Sequence, residues 1–64
     1  MDDDTTDLIA RLCTQVGMIM EDASVIALTV SGIEPSNRQV AIVELEGAAS
    51  QINGLVAAAR ALLP

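Results

Sequence analysis

The sequence contains no phenylalanine, tyrosine or tryptophan, and it also lacks histidine and lysine. With no histidine and a single cysteine, Cys13, one chain can form neither an intramolecular disulfide nor a zinc site of the usual Cys/His kinds. Domains of this size usually need a disulfide, a metal or association with other chains to be stable. The missing residues therefore leave association as the expected source of extra stability for these 64 residues.

The same absences argue against an enzyme. General acid-base catalysis most often uses histidine, and the sequence has no glycine-rich loop that could hold a phosphate. Glu44 and Glu46 are two residues apart, and Glu21 and Asp22 are adjacent, so neither pair of carboxylates shares a helix face. Cys13 has no histidine or second cysteine to activate it, and we interpret it as a small apolar side chain. We expect no catalytic residue, no cofactor-binding residue, no cofactor and no metal ligand.

Positive charge is scarce, with three arginines against nine acidic residues and a formal net charge of -6. An acidic chain without aromatic side chains does not suit nucleic acid or an anionic membrane surface. Because 52% of the residues are apolar, the charge does not indicate disorder. We therefore expect a folded protein whose partners are proteins, with no nucleic acid and no membrane among them.

The sequence also has no apolar run as long as a membrane-spanning helix requires. The most apolar stretch, Gly54 to Leu63, is short and contains Arg60, whereas a span needs about 20 largely apolar residues. The N-terminal residues Met1 to Asp4 are acidic, the opposite of a basic signal-peptide start. These features predict a cytoplasmic location with a reduced thiol.

What the sequence does contain is two apolar ladders with alternating steps of three and four residues, the spacing of one stripe on an α-helix. The first ladder is Ile9, Leu12, Val16, Ile19, Ala23, Ile26 and Val30. The second is Ile42, Leu45, Ala49, Ile52, Val56, Ala59 and Leu63. Beside them run two columns with a spacing of seven residues: Cys13, Met20 and Ala27 in the first half, and Ala41, Ala48, Leu55 and Leu62 in the second. Stripes three columns wide suit a four-helix bundle better than a two-stranded coiled coil.

A single break separates the ladders. Gly32 is a good candidate for a left-handed C-cap, and Pro35 cannot continue the first helix. The second helix could begin with Pro35 in its first turn, or with Ser36 as the cap of a capping box that ends at Gln39. The pattern predicts one all-α domain over residues 1–64: an antiparallel hairpin with helices at about 7–30 and 36–62 and a loop at 31–35.

Gly47 and Gly54 are unexpected inside the second helix, where each costs about 1 kcal/mol relative to alanine. The ladder crosses Gly47 without a phase slip, which favours an unbroken helix over a third one. Small residues let two helix backbones approach closely, so the glycines could mark a contact between subunits or a groove for another protein. The alternative is that small residues are tolerated there on an indifferent surface.

We therefore predict a non-enzymatic assembly or interaction module whose hairpins associate as a homodimeric four-helix bundle, with a tetramer possible through the small-residue face of helix 2. The alternative function is an acidic regulatory subunit or inhibitor that binds a different protein through its apolar helix faces. The residues predicted at the interface are Leu12, Val16, Ile19, Ile26, Ile42, Leu45, Ile52, Val56, Gly47 and Gly54.

Overall fold

The computed structural model describes residues 3–64 and contains two long helices joined by a short turn. Helix α1 is Asp3–Thr29, a single 3-10 turn follows at Val30–Gly32, and helix α2 is Pro35–Ala61. No strand is present within residues 3–64. The prediction of an all-α, two-helix hairpin is confirmed.

Helix α1 begins at Asp3, four residues before the predicted start at Asp7. Asp3 and Asp4 occupy its first turn, where carboxylates offset the positive end of the helix dipole. The two aspartates therefore favour helix at this position. The predictions for Met1 and Asp2 concern residues outside the described part of the chain.

The turn differs from the predicted left-handed cap. Gly32 does not have a positive φ; it ends the 3-10 turn, and Ile33 continues in an extended conformation with φ -96° and ψ 162°. Near the end of α1, the Thr29 hydroxyl donates to the carbonyl of Val25 at 2.8 Å. This carbonyl oxygen is one of the acceptors in the last turn of the helix. Helix α1 thus ends in a tighter 3-10 turn, which is a common way for an α-helix to end and requires no residue in the left-handed conformation.

Of the two possible starts for α2, the structure has the one with Pro35 at the first helical position. Pro35 lacks an N–H that would have no helical acceptor there, and its fixed φ already suits a helix. Ser36 lies inside the helix, so the predicted capping box at Ser36 is wrong. Across the turn, Arg38 donates to the carbonyl of Ser31 at 3.5 Å, which connects the start of α2 to the end of α1.

Helix α2 continues through both internal glycines as far as Ala61. Its single segment agrees with the uninterrupted ladder across Gly47 and excludes a third helix there. The predicted end at about residue 62 is one residue too late, because Leu62 closes the helix as its C-cap. Arg60 lies in the last turn, where a cation is favoured by the helix dipole.

The contact between the helices, which we call the seam, follows the predicted ladder on α1 but not on α2. Every member of the α1 ladder is half-buried: Ile9, Leu12, Val16, Ile19, Ala23, Ile26 and Val30. On α2 the buried or half-buried residues are Ala41, Leu45, Ala48, Ile52, Leu55, Ala59 and Leu62. Three members of the predicted α2 ladder, Leu45, Ile52 and Ala59, therefore lie in the seam. The other seam residues of α2 come from the column that was predicted to lie beside the ladder.

The correction on α2 leaves part of its predicted ladder outside the seam. Ile42, Ala49, Val56 and Leu63 are all exposed. The physical reason is size, since Ala41 and Ala48 are small enough to let α2 come close to α1, whereas a seam built on Ile42 and Val56 would hold the backbones further apart.

One hairpin has almost no interior. Ala41 is the single buried hydrophobic residue of the described chain, with 6% of its surface exposed. The molecule is a rod of 49 × 15 × 10 Å with a Cα radius of gyration of 15.1 Å. A compact domain of this length would have a radius of gyration of about 11 Å. The hairpin therefore has the shape of one layer of a helical bundle.

Candidate functional site

The two broad faces that flank the seam differ in chemistry. One face, called here the apolar face, is defined by the residues that directly follow Leu12, Ile19 and Ile26 on α1 and Ala41, Ala48 and Leu55 on α2; Glu46, Asn53 and Arg60, which follow Leu45, Ile52 and Ala59, border it. Its members are Cys13, Met20 and Ala27 on α1, and Ile42, Ala49 and Val56 on α2. All six are exposed, and none is charged. The three larger side chains remain about half accessible, with exposed fractions of 57% for Met20, 49% for Ile42 and 50% for Val56.

A shallow groove shows that the two halves of the apolar face lie side by side. It is lined by Leu12, Cys13, Val16, Leu55, Val56 and Ala59. Cys13 and Val56 form its outer edges, and the remaining four residues belong to the seam. The groove has no charged residue in its lining, so it offers water an apolar surface.

The opposite face, called here the polar face, carries Gln15, Asp22, Glu44 and Gln51, each of which directly precedes a seam residue. Gln15 and Gln51 line one groove on this side, together with Gly54. Asp22 and Glu44 line a second groove with Gly47 and Gln51. Amides and carboxylates keep their hydrogen bonds to water on this side of the hairpin, so exposure does not penalise them.

Other exposed apolar side chains lie on the outer edges of the rod. They are Met18, Val25 and Leu28 on α1, and Val40 and Val43 on α2, each at least 56% exposed. Met18, Val25 and Val40 directly precede seam residues and therefore flank the polar face, whereas Leu28 and Val43 lie about half a turn of helix from the seam.

Gly47 and Gly54 lie on the polar side of α2 rather than on the apolar face. A Cβ added at either position would meet nothing within 4 Å. Within one hairpin, no close approach explains the glycines. Their predicted role at a contact between subunits stays a prediction.

The structure divides the ten predicted interface residues into three groups. Six lie in the seam between α1 and α2 of the same chain: Leu12, Val16, Ile19, Ile26, Leu45 and Ile52. Two, Ile42 and Val56, lie on the apolar face, and the two glycines lie on the polar side. Cys13, Met20, Ala27 and Ala49, which also lie on the apolar face, are not among the ten predicted interface residues, although the sequence pattern places them in the apolar stripes.

Among residues 3–64, no group of three or more histidine, cysteine, aspartate or glutamate side chains could hold a metal ion. Cys13 is a free and exposed thiol. Its groove offers no basic or acidic group that would activate a thiol, and we assign it no chemistry.

By length and composition, one helical segment, Asp3–Gly32, could cross a membrane, and none of its most apolar window is buried within the chain. The core helix of a soluble protein can pass the same test. Glu21 and Asp22 lie near the middle of this segment. An ionised carboxylate at the centre of a bilayer costs about 2.5 to 3.5 kcal/mol on insertion scales, so this pair disfavours a spanning arrangement.

Comparisons with protein-family models, with curated proteins and with solved structures found no match to this chain. Its function must therefore be inferred from the hairpin itself. The feature that distinguishes this hairpin is the contrast between its apolar and polar faces.

Proposed function

We propose that the protein is a non-enzymatic self-association module, in which two hairpins bury their apolar faces against each other and form a four-helix bundle. The observation that carries this proposal is the apolar face itself: six exposed, uncharged residues contributed by both helices at a spacing of seven. Continuous apolar surface of this kind is typical of an interaction site in a soluble protein.

The surface area supports a partner of the size of a second copy. The chain exposes 4848 Å². A compact protein of the same mass, 6.6 kDa, exposes about 3,900 Å². The difference, about 1,000 Å² per chain, is close to the roughly 800 Å² that each partner buries in a stable protein interface. Burial of one broad face against another hairpin would remove an area of this order.

The distribution of charge supports the same face. In a bundle formed through the apolar face, Asp22 and Glu44 on the polar face stay in water and do not have to be desolvated. Association through the polar face would bring the acidic groups of two chains together. The apolar face is therefore the one that two equally acidic chains can share with the least electrostatic cost.

The proposal is tested by the molar mass of the purified chain in light scattering, compared between two double variants. Ile42→Glu with Val56→Glu places charge on the apolar face. Its matched control, Val43→Glu with Ala57→Glu, places the same charge one residue further along, on the outer edge of α2. We expect the native chain and the control to have the mass of a dimer, and the first variant to be monomeric.

Three results would contradict this function. The native chain could be a compact monomer with a sharp thermal transition that does not depend on concentration. Both double variants could also retain the dimer mass, which would place the contact elsewhere. A chain that is monomeric and loosely folded until another protein is added would instead support the regulatory subunit or inhibitor predicted as the alternative.

A further inference from the structure

The register between the two helices orders the apolar face into rows. Cys13 and Val56 edge the same groove and form one row. Because the helices are antiparallel, a step of seven residues forward on α1 corresponds to a step of seven back on α2. That step pairs Met20 with Ala49, and a second step pairs Ala27 with Ile42. The grooves on the polar face have the same register, since Gln15 lies with Gly54 and Asp22 with Gly47.

Each row contains one small and one large side chain. In the first row the small residue, Cys13, is on α1, and in the second row the small residue, Ala49, is on α2. In the third row it is again on α1, at Ala27. Successive rows lie about 10 Å apart, since a helix rises 1.5 Å per residue. The face therefore has an alternating relief of raised and recessed positions rather than a uniform surface.

Two copies can meet face to face around a two-fold axis in two ways. When the axis runs along the rod, both turns lie at the same end and α1 of one chain packs on α2 of the other. Each row then meets its own copy with the helices exchanged. Met20 lies over the partner's Ala49, Ile42 over the partner's Ala27, and Val56 over the partner's Cys13, so that every large side chain faces a small one.

When the axis runs across the rod, the turns lie at opposite ends and α1 packs on α1. With the middle rows superimposed, Met20 then lies over the partner's Met20, and Ala49 over the partner's Ala49. Val56 meets the partner's Ile42, while Cys13 meets the partner's Ala27. Large residues face large and small face small, which combines overpacking with voids, and each of these costs stability in a closely packed interior.

On this basis we propose that the two hairpins pack with their turns at the same end, each α1 against the partner's α2, so that all neighbouring helices of the bundle are antiparallel. This inference rests on the proposed self-association and specifies its geometry. The alternation of side-chain size across the rows selects the arrangement, because only this one places all three large residues opposite small ones.

The main test is a distance measurement between spin labels at the turn. Cys13→Ala removes the native thiol while it keeps a small apolar side chain, and Ser31→Cys places one label on the exposed turn of each chain. Helix axes in packed bundles lie 8–10 Å apart, so turns at the same end give label distances of about 15 to 30 Å. Turns at opposite ends of a rod 49 Å long would give distances above about 40 Å.

The outcomes separate this inference from the proposed function. A dimeric mass with the short distance supports both. A dimeric mass with the long distance overturns the arrangement and leaves self-association intact. A monomeric mass with no distance between chains overturns both.

Disulfide trapping provides a second and independent test in the same Cys13→Ala background. One chain carries Met20→Cys, and another carries Ala49→Cys; they are unfolded, mixed, refolded together and oxidised. We expect a disulfide-linked dimer in the mixture and none with either chain alone. Efficient cross-linking of the Met20→Cys chain with itself would overturn the proposed arrangement, because only the arrangement with opposed turns brings these positions together.

Discussion

Cys13 on α1 and Val56 on α2 are the two outer edges of one apolar groove, although they come from opposite ends of the sequence. Their pairing fixes the register of the two helices and brings two columns of apolar residues onto the same face. An exposed thiol within that face also provides a probe of whether the face is covered.

The first prediction uses this thiol. If two hairpins cover the apolar face, the rate at which a thiol reagent modifies Cys13 should fall as protein concentration rises, because only the dissociated chain exposes the sulfur fully. The measurement is the initial labelling rate per chain over a hundredfold range of concentration. In the Ile42→Glu, Val56→Glu variant the rate should be fast and constant. A constant rate in the native chain would show that the groove stays open.

The second prediction concerns the seam. Ile19 and Ile52 are half-buried between α1 and α2 of a single hairpin. Truncation of either to alanine should lower the free energy of unfolding by about 2 to 4 kcal/mol, through lost burial and the cavity left behind. Urea unfolding at a fixed protein concentration measures the change. Leu28→Ala is the control, since Leu28 is 80% exposed and its truncation should change stability little. If neither isoleucine variant lowered the free energy of unfolding, the assignment of Ile19 and Ile52 to the seam would be wrong.

The third prediction decides between the two interpretations of the glycines. Because a Cβ at Gly47 or Gly54 meets nothing within 4 Å, alanine at both positions should add about 1 kcal/mol each through helix propensity and leave the molar mass unchanged. Gly17 on α1 is equally open and serves as the matched control. A gain at Gly17→Ala combined with a loss of stability or of mass at the other two would instead support a contact between subunits at the α2 glycines.

The fourth prediction follows from the net charge. Each chain carries a formal charge of -6, so two chains repel one another as they associate. Added salt screens this repulsion, with a screening length that falls from about 10 Å at 0.1 M to 3 Å at 1 M. We expect the dissociation constant measured by sedimentation to decrease with salt over this range. An increase would indicate that attraction between opposite charges holds the chains together.

The fifth prediction concerns the start of α2. Pro35 restricts the unfolded chain and already has the backbone angle that its position requires, so Pro35→Ala should lower the free energy of unfolding by about 0.5 to 1 kcal/mol. The molar mass should not change, because the turn lies outside the apolar face. A stabilising substitution would mean that the proline strains the turn.

Several elements of the fold could be predicted from the sequence because their causes are local. The α1 ladder from Ile9 to Val30 identified the buried side of that helix correctly. Pro35 was one of two possible starts that the sequence left open for the second helix, and it is the one found in the structure. The turn was predicted less well. Gly32 permits a left-handed cap but does not require one, and the 3-10 geometry satisfies the end of α1 by another route.

The phase of α2 could not be read from the sequence with the same success. Its apolar stripe is wide enough to offer two possible seams, one through Ile42 and Val56 and one through Ala41 and Leu55, with Leu45 and Ile52 common to both. Periodicity alone cannot rank them, since both have the spacing of a helix. The choice depends on how closely the backbone of α1 can approach, and that is a property of the pair.

The helical hairpin could be predicted from the amino-acid sequence, because helix periodicity and helix breakers are properties of residues that lie close together in the chain. Which apolar column of α2 packs within the hairpin, and which remains exposed, depends instead on how the two helices pack against each other. Small residues such as Ala41 and Ala48 enter the seam because they let the helices pack closely, and this turns Ile42 and Val56 outward beside Cys13 and Met20.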